Sequence, residues 1–147
     1  MPAQSRDATG NGKLRAGPLS RKFVMPLLQT VERFVELVEA GRGIDALESF
    51  YAEDASMQEN GSQPRRGKAA LLAHEAAAQD AAIDLKARCV RPILIAGEIV
   101  VIRWVFDYLD RQGHPVHFEE LAYQRWVGDR ISEEQFFYDP GQFRSPG

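Results

Sequence analysis

The stretch Ile99–Leu109 reads Ile-Val-Val-Ile-Arg-Trp-Val-Phe-Asp-Tyr-Leu, and no other part of the chain limits the fold so tightly. Its β-branched and aromatic side chains suit a pleated strand and crowd a helix. Gly97-Glu98 precedes it and Asp110 to Gly113 follows it, short turns of the kind that join antiparallel neighbours. Arg88 to Ile95 forms a strand on one side. Val116 to Val127 and Arg130 to Tyr138 form two more on the other, separated by Gly128-Asp129. Consecutive strands with short turns predict an antiparallel meander.

Alternation assigns the faces, because successive strand side chains point to opposite sides. Val100, Ile102, Trp104, Phe106 and Tyr108 share one face of the long strand; Val101, Arg103, Val105 and Asp107 share the other. The first face carries far more apolar area and is expected to cover a core. The two later strands mix residue types on both faces, so alternation alone does not orient them.

Helices must supply the other layer. Leu27 or Leu28, Val31, Phe34 or Val35, and Val38 recur at helical spacing, with Pro26 suited to a first turn and Gly41 to an end. A short second helix follows, with Ile44, Leu47, Phe50 and Tyr51 on one side and Asp45 in its first turn. Ala55 to Glu59 reads as a short strand, and Asn60-Gly61-Ser62 breaks it. Gly67 to about Ala82 is rich in alanine and reads as a third helix. The expected fold is α+β: N-terminal helices packed into the mouth of a strongly curved antiparallel sheet. Residues 1–24 are rich in Gly, Pro, Ser and charge, and are expected to be a disordered tail. The domain is then 25–143, with 144–147 as a C-terminal tail.

Charge narrows the partners. The first 24 residues carry five bases and one acid; the rest carries 13 bases and 20 acids. An acidic body argues against nucleic acid, since phosphate binding needs a basic face. No apolar run approaches the roughly 18 residues of a membrane span, and Met1 to Lys22 lacks the apolar core of a secretory signal. The single cysteine, Cys89, cannot form an internal disulfide and reads as a buried small residue, so a cytoplasmic setting is expected.

Nucleotide-binding glycine motifs are absent from the folded region. His114 and His117 are three apart near a strand and should face opposite ways. His74 sits in the third helix without a histidine four residues away, and reads as exposed or locally bonded. No metal and no cofactor are therefore expected.

Two strings carry a resemblance. Phe50-Tyr51-Ala52-Glu53-Asp54-Ala55-Ser56-Met57, followed by Arg66-Gly67-Lys68-Ala69-Ala70, resembles the helix–strand–helix passage of the SnoaL-like polyketide cyclases. These are relatives of ketosteroid isomerase and limonene epoxide hydrolase in the nuclear-transport-factor-2-like superfamily. Glu119 to Trp126 and Phe137-Tyr138-Asp139-Pro140 are similar to a branch of SnoaL-like domains without an established activity. The resemblance covers about residues 25–143. It implies a cone-shaped fold, a pocket at the wide end, and often a homodimer through the convex side of the sheet.

The resemblance also places residues. It puts Glu59 where the isomerase has its general base. The positions of that enzyme's oxyanion donors fall at Phe34 and Ala122, neither of which can donate from its side chain. With Ala122 inward, parity brings Glu120, Gln124 and Trp126 inward too, and likewise Ile102, Trp104, Phe106, Glu134, Phe136 and Tyr138. Phe34, Tyr51 and Met57 join the expected pocket lining. An aromatic pocket with a few polar groups suits a small apolar molecule. Carboxyls in such a setting should hold their protons more tightly, and a close pair can divide acid and base roles. Glu59 is expected as base, pointing into the cavity near Trp104 and Trp126, and Glu120 as acid. The alternative for Glu59 is a turn-capping carboxylate, and for Glu120 and Glu134 pairing with Arg or Gln at the rim. Gln124 would orient a ligand or bond Glu120. The expected function is a small-molecule site doing isomerase, cyclase or hydrolase chemistry on a carbonyl or epoxide compound. The alternative is a non-catalytic ligand-binding or dimerisation module. Arg103, Leu121, Tyr123 and Arg125 are expected on the convex face, in or near a dimer interface.

Overall fold

The computed structural model describes residues 19–143, with side chains from Leu27 onward. The order is α1 (Leu19–Glu39), α2 (Gly43–Phe50), β1 (Tyr51–Glu59), β2 (Arg65–Arg66), α3 (Lys68–Ala81), β3 (Ile83–Ala96), β4 (Ile99–Leu109), β5 (Pro115–Val127) and β6 (Arg130–Phe137), then a 3-10 turn at Pro140–Phe143. The six strands make one curved, unclosed sheet in the order β2-β1-β6-β5-β4-β3. Strands β3 to β6 form the expected antiparallel meander. The sheet as a whole is mixed, because β1 runs parallel to β6. The two hairpins without a longer loop turn at Gly97 and Gly128. Their φ angles of 60° and 61° lie in the left-handed region that other residues rarely adopt.

Helix α1 starts at Leu19, ahead of the expected Met25, so Pro26 lies inside it instead of in its first turn. In the sequence, the spacing of Leu19, Phe23 and Leu27 continues the helical period upstream, interrupted by Arg21 and Lys22. The rest of the tail, residues 1–18, and the C-terminal 144–147 lie outside the described residues.

Tyr51 opens β1 instead of closing α2. Between Tyr51 and Ser56 the register against β6 jumps, from Tyr51 opposite Ile131 to Ser56 opposite Glu133. A bulge of this kind destroys alternation, so Ala55, Ser56 and Met57 are buried in succession. Strand β3 is longer than expected and tolerates Pro92 because it is an edge strand, with a register shift between Val90 and Leu94.

The helices cover one face of the sheet. Val31, Phe34 and Val35 from α1, Ala46 and Leu47 from α2, and Leu71 from α3 are buried against Val100, Ile102, Trp104, Ala122, Trp126 and Ile131. The opposite, convex face keeps Leu121, Tyr123 and Phe137 at 45%, 44% and 46% exposure. Leu121 lies between Arg103 and Phe137, and Tyr123 beside Val101, so these form one continuous patch. Arg103 meets Glu119 at 3.4 Å and Arg125 meets Glu133 at 3.4 Å on the same face. Among the described residues no helix is long and apolar enough to cross a membrane.

Candidate functional site

The core does not fill the space between the helices and the sheet. An outer chamber of about 710 Å³ opens between α3 and the far ends of β4 and β5. An inner chamber of about 120 Å³ lies deeper, toward α1 and α2. They share Met57, Glu75, Phe106, Glu120 and Phe136 as lining, so they are two parts of one cavity.

Glu134 anchors the inner end. It is 3% exposed on β6 and accepts hydrogen bonds from the Tyr51 hydroxyl at Oε1 and from Gln124 Nε2 at Oε2, the latter at 2.6 Å. Gln124 Oε1 in turn accepts from Trp126 Nε1 at 2.9 Å. Burial pushes the Glu134 carboxyl up to about 7, although Gln124 and Tyr51 pull it down. Burial likewise drives the Tyr51 phenol well up, with the charge of Glu134 adding to it.

Glu120, on β5, stands apart from the other carboxyls of the cavity. It lines both chambers, and no hydrogen bond or ion pair to its side chain is found among the described residues. Protein surrounds most of its side chain. Burial holds its proton well above the usual carboxylate range, and Glu134, Glu59 and Glu75 push the same way.

Glu59 ends β1 as expected, but stands in a different setting from the one anticipated. Its side chain is 42% exposed, at the mouth of the outer chamber, and Trp104 and Trp126 do not line that chamber. The carboxylate meets His74 Nε2 at 3.5 Å, and Tyr138 Oη donates to it at 3.4 Å. Gln58 turns away to Ser62, and Asn60 Oδ1 receives the Tyr138 backbone N–H. As the last residue of β1, before the turn at Asn60, Glu59 stands at the rim of the cavity, away from the two tryptophans it was expected to approach.

The other expected lining residues divide. Phe34, Tyr51 and Trp104 line the inner chamber with Glu134; Met57, Phe106 and Phe136 line both. Ile102, Ala122, Gln124 and Trp126 face inward but are packed solid behind the chambers. Gln124 bonds Glu134 and Trp126, not Glu120. Tyr138 stacks edge-on against Phe118 at 5.1 Å, outside both chambers.

Sequence reasoning missed His74, Glu75, Phe118 and Phe143. His74 was expected to be exposed or locally bonded; it is 38% exposed and faces Glu59 across the mouth. Leu71, Glu75, Ala78 and Ala82 follow a four-three-four spacing from the buried Leu71. That spacing marks the cavity side of α3 and was the available signal. Phe143 reaches the mouth because Gln142 binds both backbone groups of Glu119, accepting at 2.8 Å and donating at 2.9 Å. Among the described residues no three His, Cys, Asp or Glu side chains are grouped to hold a metal ion.

Residues 31–134 match the family model of the SnoaL-like domain. No match was found among curated proteins. Solved structures of the same fold include a SnoaL-like protein from Jannaschia sp. CCS1, 14% identical, with a TM-score of 0.70 over 90% of this chain and 99% of that one. A SnoaL-like protein from Mesorhizobium loti is 22% identical, with a TM-score of 0.65 over 76% and 97%. A protein with a ketosteroid isomerase-like fold from Catenulispora acidiphila, solved with trimethylamine, is 16% identical, with a TM-score of 0.66 over 77% and 87%. At these identities the likeness is one of fold.

Proposed function

Because the chain belongs to the family of SnoaL-like domains, we propose that its two-chambered cavity binds a small, mostly apolar carbonyl or epoxide compound and moves protons on it. One observation carries this reading: two carboxyls in contrasting surroundings face one cavity. Glu120 is enclosed, unpartnered and held protonated, so it can donate to a ligand oxygen. Glu59 sits in partial solvent against His74 and Tyr138, where it can accept a proton. Environments that differ in this way divide acid from base. On a carbonyl compound, Glu59 takes a proton from the carbon beside the carbonyl while Glu120 gives one to the oxygen. Returning a proton to another carbon, and one to Glu120, completes an isomerisation.

The aromatic walls give the affinity. Phe106 and Phe118 stack with centroids 5.8 Å apart, and Trp104 continues the row at 6.0 Å from Phe106. A thermal-shift screen of neutral cyclic ketones and epoxides tests the reading. A ligand at 100 times its Kd adds about 2.7 kcal/mol to stability. A screen without hits, or hits whose turnover survives Glu59→Gln and Glu120→Gln together, would sink it.

A second copy of the chain is the proposed partner, seated on the convex patch of Leu121, Tyr123 and Phe137. Apolar side chains this exposed on a sheet face otherwise lined with ion pairs support an interface there. The same patch supports the alternative reading of a ligand-binding or dimerisation module without turnover.

A further inference from the structure

The resemblance to ketosteroid isomerase implies that its oxyanion-donor positions fall at Phe34 and Ala122, and neither offers a side-chain hydrogen bond. Besides Glu120, a ligand oxygen in the inner chamber has one further side chain able to donate to it. Tyr51 lines that chamber, and its hydroxyl is the only phenol that does so among the described residues.

What the Tyr51 hydroxyl can do is set by a chain of partners behind it. Trp126 Nε1–H is a donor only. Gln124 must therefore turn its Oε1 to the indole, at 2.9 Å, and its amide nitrogen to Glu134. Reversing that amide would set two donors against each other at one end and two acceptors at the other. Oε2 of Glu134 is thus fixed as an acceptor. The contact between Glu134 Oε1 and Tyr51 Oη is the one place where the direction can change. With Glu134 ionised, the phenol O–H points at the carboxylate and only a lone pair is left for the chamber. With Glu134 neutral, its proton lies on Oε1 toward Tyr51, and the phenol O–H swings out of that contact. Both arrangements keep every contact among the four side chains; only the second turns the phenol's own O–H toward the chamber.

We propose that Tyr51 donates the hydrogen bond that receives the ligand's oxygen in the inner chamber, and that the proton on Glu134 aims it. This deepens the small-molecule reading and rests on it, in that the ligand carries an accepting oxygen. It also places the donor at the start of β1, away from the first-helix and late-strand positions. The groups facing Glu134 are Tyr51 from β1, Gln124 and Glu120 from β5, and Glu75 from α3. Among the described residues no cationic side chain lines the inner chamber. Burial and the nearby Glu75 hold the Glu134 proton up to about neutral pH, so the donor is present below about 7 and withdrawn above it.

Two variants separate the states. Glu134→Gln imitates the neutral acid: its carbonyl accepts from Gln124 while its amide donates to Tyr51, leaving the phenol O–H aimed inward. Tyr51→Phe removes the donor. Tyrosine labelled with carbon-13 at Cζ reports the phenol without any ligand. Its Tyr51 signal should titrate with a midpoint near that of Glu134 in the native chain and stay constant in Glu134→Gln. Cyclohex-2-enone serves as the binding probe. Its affinity should drop about tenfold, one hydrogen bond's worth, between pH 6 and pH 8. The drop should vanish in Glu134→Gln, and Tyr51→Phe should bind weakly at both pH values. Equal binding by native chain and Tyr51→Phe would overturn the inference and leave the small-molecule reading standing. If no neutral ketone binds at all, that reading fails, and a Tyr51 signal unmoved by pH would still overturn the inference independently.

Discussion

Nε2 of His74 lies 3.5 Å from Oε1 of Glu59, joining the middle of α3 to the last residue of β1 at the cavity mouth. The pair makes Glu59→Gln the sharpest test of the proposed base. The side chain is 42% exposed, so the substitution should change stability by no more than about 0.5 kcal/mol. Turnover should fall by about 10²- to 10⁴-fold, the usual worth of a general base, with ligand affinity kept. Parallel melting curves and kinetics check both halves; a variant that turns over normally rejects Glu59 as base.

Stability should depend on pH with an unusual sign. Glu134 binds its proton more tightly folded than unfolded, about 7 against 4.5. Across that window the native state holds a proton that the unfolded chain has released, so unfolding free energy falls as pH rises and levels off above about 7. The difference amounts to about 3 kcal/mol at most. Glu120, shifted the same way by burial, adds to the slope. Urea unfolding from pH 4.5 to 8 should show the decline, and Glu134→Gln should flatten part of it. A stability that rises over this range would contradict the buried carboxyl.

Gln142→Ala should loosen the mouth. The Gln142 amide pairs with Glu119 as a neighbouring strand residue would, using both its oxygen and its nitrogen. Losing those two bonds should cost about 1–2 kcal/mol. Phe143, 4.8 Å from Phe118, loses its anchor with them. Ligand dissociation should quicken more than association, which stopped-flow measurement resolves.

Leu121→Lys places a charge in the centre of the convex patch, between Arg103 and Phe137. It should leave the fold intact, because the residue is 45% exposed. Sedimentation should show a dimer for the native chain and a monomer for the variant. A native chain that is monomeric at micromolar concentration removes the proposed pairing.

How much of this was legible in the sequence follows from how local each signal is. Ile99–Leu109 was readable to the residue because its alternation and its turns are local. The inward direction of Trp104 and Phe106 followed from alternation along one strand, and that of Glu134 and Phe136 from the resemblance that set Ala122 inward, extended by parity. The bulge in β1 was not readable, since it arises from pairing with β6, a strand distant in sequence. The link between Tyr51 and Glu134 spans 83 residues, and no local pattern announces it. His74 was visible as a residue but not as a partner, because its meaning depends on which face of α3 meets the mouth. Ile102, Ala122, Gln124 and Trp126 were placed on the correct face, but parity gives direction and not depth. The cavity ends before it reaches them.

The chain's two tryptophans stand on opposite sides of that boundary: Trp104 lines the inner chamber, while Trp126 is packed behind it with its indole nitrogen already committed to Gln124. Intrinsic emission therefore carries its own internal standard. A molecule entering the inner chamber changes the light from Trp104 and leaves that of Trp126 as a constant background. Trp104→Phe should yield a protein whose fluorescence is blind to ligand, so occupancy can be followed optically without attaching a dye.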